Sequence, residues 1–116
     1  MKKFVAVFTG SPASMDAWQK LDPQTRAERD RAGMQAWEQW VRTHADIIVD
    51  HGGPLGKTKR ISKDGVADIR NALAGYTVIH AESHAAAAQL FENHPHFTIF
   101  PGDGVEVMEC LPIPGM

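Results

Sequence analysis

The stretch KFVAVFT, residues 3–9, constrains this chain more than any other. Side chains alternate across a strand, so Phe4, Ala6 and Phe8 fall on one face and Val5 and Val7 on the other. Both faces are apolar, and such a strand needs cover on both sides. Two lysines ahead of a short apolar run superficially resemble a leader peptide. The run ends at Thr9-Gly10, no A-x-A-like cleavage site follows, and it is too short to cross a bilayer. It reads as a first strand.

Periodicity and punctuation supply the other elements. GSPAS (10–14) has the composition of a loop, and MDAWQKL (15–21) fits a short helical turn carrying Trp18. Asp22-Pro23 is a helix start, because the aspartate accepts from free backbone N–H groups and a proline at the first helical position needs no donor. From there to about Thr43, Met34, Trp37, Val41 and His44 recur at helical spacing, with Trp40 beside them. Gly33 within that helix costs about 1 kcal/mol relative to alanine, which suggests close packing against it. DIIVDHGGPLG (46–56) is a β-branched run broken by a Gly-Gly-Pro turn. KTKRIS (57–62) suits an outer strand closed by the turn KDG, with VADIRN (66–71) as a further short strand. LAGYTVIHAE (73–82) has strand composition. Ser83 then caps a second helix over 84–94, with Ala87, Leu90, Phe91 and His94 on one face and Pro95 as its stop. GVEVMECL (104–111) alternates as a last strand.

This order predicts an α+β, ferredoxin-like βαββαβ fold with an extra hairpin between its halves, in a single domain over residues 1–116. Two helices cover only one face of a four-stranded sheet. The second apolar face of the first strand therefore calls for another copy of the same sheet, and a homodimer is expected.

Composition narrows the partners. Apolar content of 43% and charged content of 22% are those of an ordinary soluble domain. A formal charge of −2 gives no reason to expect nucleic acid or an anionic membrane. The single cysteine, Cys110, cannot close an internal disulfide, which fits a cytoplasmic protein.

The stretches IIVDHGGPLG, LAGYTVIHAESHAAAAQLFENHP and VEVMECLPIPGM, behind a long helix starting at LDPQTR, resemble the YCII-related (YciI-like) family. The resemblance spans most of the chain and implies a dimeric α+β barrel. In some relatives it implies a catalytic pair, a histidine on the first helix and an aspartate just before a proline at the end of the second. This sequence has Gln35 or Ala36 at the first position and His94 at the second, and VADIRN where another branch carries DGPF. The pair's chemistry is not carried over; a pocket between the first helix, the sheet and the end of the second helix is.

Within that frame, HPH (94–96) is the main candidate. His94 extends the apolar face of the second helix, where a histidine at a helix C-terminus gains from the dipole. A near-neutral pKa also suits it to acid–base work beside a pocket. Asp50-His51, ahead of Gly52-Gly53-Pro54, is a second candidate, set against a plain turn in which Asp50 binds nearby N–H groups. His94, Asp50 and His51 are thus the candidate catalytic residues, with Gln35, Trp37, Trp40, Tyr76 and His96 as candidate substrate contacts. Metal sites want three or four ligands, and no local spacing links His80, His84, Asp50 and His51, so no metal is expected. GGPLGK lacks the spacing of a phosphate-binding loop, and no cofactor is expected. Lys57, Lys59, Arg60 and Lys63 read as a solvated hairpin guarding a sheet edge. The chain is read as a binder of a small aromatic or lactone-like molecule, with isomerase or lyase-like proton transfer. A non-catalytic metabolite-binding module is the alternative.

Overall fold

β1 (Lys2–Thr9) occupies the centre of the sheet, as its two apolar faces require. The structure, a computed structural model, describes residues 1–115. The chain continues through α1 (Pro12–Gln19), α2 (Pro23–Thr43), β2 (Ile48–Pro54), β3 (Thr58–Ser62), β4 (Gly65–Ile69), β5 (Leu73–Ala81), α3 (His84–Gln89), α4 (Pro95–Thr98) and β6 (Gly104–Glu109). The four-stranded sheet has the order β2-β5-β1-β6 with antiparallel neighbours, which is the ferredoxin-like arrangement. β3 and β4 form a separate hairpin between its halves.

Register sorts the faces of the sheet. Phe4, Ala6 and Phe8 of β1 and Ile79 and Ala81 of β5 are buried with Ala87 and Phe91, and the tryptophans of α2 pack over them. Trp40 Nε1 donates to the Leu90 carbonyl at 2.9 Å, tying α2 to the segment after α3. On the opposite face, Val5 lies between Val78 and Met108, and Val7 between Tyr76 and Glu106. Met108 there is 43% exposed, so this face is apolar and open.

Three local expectations change. α1 starts at Pro12 rather than after Ser14, because Ser11 caps it by accepting from the Ser14 N–H at 3.3 Å. Gly52 and Gly53 lie within β2, where two register shifts absorb them; they are bulged strand rather than a turn ending it. The third matters most. α3 stops at Gln89, Asn93 takes a φ of 58°, and Pro95 opens α4 with His94 as its N-cap. Proline at the first helical position supports a start as readily as it enforces a stop.

Gly33 is the only fully buried position of α2, since the Phe100 ring lies across it. A Cβ there would stand 2.5 Å from two Phe100 ring atoms. Gly33→Ala gains about 1 kcal/mol of helix propensity but overpacks a ring held against Trp18 and Trp37, at a cost of roughly 1–3 kcal/mol. Urea denaturation is expected to show a net loss of stability for Gly33→Ala, and a gain when the same change is made in a Phe100→Ala background.

Candidate functional site

A cavity of about 350 Å³ lies under α2, against the β2–β5 side of the sheet. Phe8, Trp37, Trp40 and Phe100 supply its aromatic wall, and His51 and His96 its titratable groups. The rings are mutually braced: Trp37 stands 5.0 Å from Phe8 and 6.2 Å from Phe100, centroid to centroid. Trp37 and Trp40 are both half-buried, so α2 roofs the cavity instead of closing it.

The two histidines of HPH have different surroundings. His94 is 1% exposed and does not border the cavity. Its ring meets Trp37 edge-on at 4.5 Å, Trp40 at 5.1 Å and Phe8 at 5.2 Å. Nδ1 accepts the His96 backbone N–H at 3.0 Å, so the neutral ring carries its proton on Nε2. That Nε2 is buried without a polar partner.

His96 is 9% exposed and borders the cavity. Its Nε2 lies 2.7 Å from the Thr9 carbonyl, which only accepts, so Nε2 holds the proton and Nδ1 carries the free lone pair. Space for the ring comes from Gly102, where a Cβ would fall 2.2 Å from Nε2. The Asp103 N–H also donates to the Thr9 carbonyl, at 2.9 Å, and the Gly102 N–H returns to the His96 carbonyl at 2.9 Å. The Asp103 carboxylate accepts from Ser14 and Ser11, which holds its pKa below the usual range and anchors the start of α1.

The structure brings Trp37, Trp40, His51 and His96 to one cavity; Tyr76 borders it too, but from a strand position whose side chain shares the opposite face of the sheet with Val7. Gln35 is exposed on α2 and borders none of the cavities described. Asp50 is exposed; its Oδ1 accepts the Gly52 N–H at 2.9 Å, and the Tyr76 hydroxyl lies 3.4 Å from Oδ2. That is the local backbone role of an Asx turn. Phe8, Phe100 and the Thr9 carbonyl were missed by sequence reading: two were ordinary core or loop residues, and a main-chain acceptor leaves no trace in residue type. Among the described residues, no three His, Cys, Asp or Glu side chains are grouped to hold a metal ion, and no helix is long and apolar enough to cross a membrane.

Burial, with His96 and His44 nearby, moves the pKa of His94 from 6.5 down to about 4. The native state therefore resists a proton that the unfolded chain accepts, and this contribution to stability is lost as pH falls from 6.5 towards 4. At 1.36 kcal/mol per pH unit the loss is roughly 3 kcal/mol. Denaturation at pH 7 and pH 4.5 is expected to show this decline. His94→Asn, which keeps an acceptor for the His96 N–H, is expected to flatten it.

No family model matches this chain, and no curated protein does. Among solved structures, the fold is similar to 5-chloro-2-hydroxyhydroquinone dehydrochlorinase of Burkholderia phenoliruptrix, in complex with 2,5-dihydroxybenzoquinone, with a TM-score of 0.53. Identity is 17% over 91% of this chain and 90% of that one, a likeness of fold.

Proposed function

We propose that this protein binds a small planar hydroxylated aromatic molecule in the cavity under α2, and that His96 moves its proton. The observation that carries this reading is an aromatic-walled cavity whose bordering imidazole is fixed as the Nε2–H tautomer, with Nδ1 free to act as base. Nδ1 takes the proton of a ring hydroxyl, and the electron pair left on oxygen delocalises into the ring. Return of the proton to a ring carbon completes an isomerisation. Where that carbon bears a leaving group, loss of a second hydroxyl proton to the same nitrogen then expels the group with its bonding pair, leaves a quinone and completes an elimination. The similarly folded dehydrochlorinase with its bound dihydroxybenzoquinone supports this class of ligand by analogy of fold.

His94, the sequence-based candidate for this proton, is assigned here to the structure of the cavity wall. The sealing of His94 favours a second reading, a metabolite-binding module without turnover. Membership of the YCII-like group and a cytoplasmic location belong to the same proposal, supported by the order of the family-like stretches and the lone Cys110. So does the homodimer, in which the open face carrying Val5, Val7, Val78 and Met108 meets its own copy.

Two measurements test these points. Exchange of the ring protons of 1,2,4-trihydroxybenzene in D2O, followed by NMR, is expected to be accelerated by the wild type and slowed about 10²–10⁴-fold by His96→Gln. His94→Asn is expected to retain most of the rate. Acceleration that survives His96→Gln refutes the role of His96; binding without acceleration supports the module. Sedimentation at micromolar concentration is expected to give a dimer mass, and a clean monomer removes the dimer from the account.

A further inference from the structure

We propose that the cleft beside the aromatic cavity forms the second half of one bipartite site, in which Lys57 and Arg70 hold an anionic oxygen substituent of the aromatic ligand. This rests on the reading of the cavity given above and extends it to the ligand's charge. The cleft, of about 1270 Å³, lies between α1, the base of the β3–β4 hairpin and the loop after α4. Ala74, His96 and Phe100 border both spaces, so cleft and cavity adjoin along these three residues.

The hairpin ladder argues for function at this point. Lys59 stands opposite Asp68 and pairs with it at 2.7 Å, the favourable cross-strand arrangement. Thr58 faces Ile69 at the end of the ladder, and Lys57 and Arg70 are the next residues of the two segments, beyond that last pair. Like charges brought near one another at the base of a hairpin repel. Among the described residues neither has an ion-pair or hydrogen-bond partner, and both line the cleft. Two unpartnered cations lining a cleft that adjoins an aromatic cavity are the pattern expected of a binding group.

The base of the hairpin is fixed enough to present them. The Asn71 side chain donates to Thr58 Oγ1 at 3.3 Å, the Gly10 N–H to the Ala72 carbonyl at 2.9 Å, and the Leu55 N–H to the Ala74 carbonyl at 3.0 Å. Two carboxylates also border the cleft. Asp68 is committed to Lys59, and Asp16 lies on α1. A carboxylate on the ligand gains charge-assisted hydrogen bonds from these two cations while its ring occupies the apolar cavity. The basic residues near this hairpin then divide by role: Lys57 and Arg70 serve the cleft, and Lys59 serves the ladder.

Calorimetric titration with 4-hydroxyphenylacetate and its neutral isostere 4-hydroxyphenylacetamide, at pH 7 and low salt, tests this. The wild type is expected to bind the acetate about ten-fold more tightly, and the preference to shrink with added salt. The Lys57→Gln/Arg70→Gln variant is expected to lose the preference while its affinity for the amide stays within about two-fold. Binding of the amide without any preference for the acetate, or a preference that survives in the double variant, overturns this proposal alone. Binding of neither overturns it together with the aromatic-site reading.

Discussion

The hydrogen bond from His96 Nε2 to the Thr9 carbonyl is the contact on which the rest of the site depends. It joins the end of the central strand to the first turn of α4. The same carbonyl receives the Asp103 N–H, and Gly102 leaves room for the ring. A buried carbonyl with two donors is well satisfied, so the loop is held by backbone groups on one side and by aromatic packing on the other. Fixing one ring nitrogen leaves the other without a protein partner, a combination of rigidity and reactivity that an unanchored surface histidine lacks. His94 completes the arrangement from behind. It caps α4 through Nδ1 and fills the space between Phe8, Trp37, Trp40 and Phe91.

Much of the fold was legible in the sequence because its signals are local. The two-sided apolar run of β1, the Asp22-Pro23 start of α2 and the strand composition of 73–82 each report a periodicity or a cap. Their order alone leads to the ferredoxin-like sheet. The misread boundaries have a common cause: residues with two meanings. Pro95 can stop a helix or start one, and Gly52-Gly53-Pro54 can turn a chain or bulge a strand. Which meaning holds depends on partners distant in sequence: Thr9 for the short helix that Pro95 opens, and β5 for the glycines.

The site was legible only in outline. Trp37, Trp40, His51 and His96 gather at one cavity, and all carry side chains whose chemistry marks them in a sequence. The division of roles between His94 and His96 was not readable, because helical spacing placed His94 on a continuous apolar face that in fact ends at Gln89. A histidine on that face would be a helix C-terminus, where positive charge is favoured. As the N-cap of α4, sealed among rings, it is held neutral instead. Gly33 shows the opposite case, since its cost to the helix announced a close neighbour without naming Phe100.

The central claim is that His96 presents a free Nδ1 to the ligand while His94 stays neutral inside the wall. Long-range ¹H–¹⁵N spectra of the two imidazoles, recorded through a pH titration and again with 1,2,4-trihydroxybenzene, test it directly. Both rings are expected to show the Nε2–H tautomer. The Nδ1 resonance of His96 is expected to move when ligand binds, and His94 to stay neutral down to about pH 4. A His94 that takes up its proton near 6.5, or that responds to ligand while His96 does not, contradicts the account.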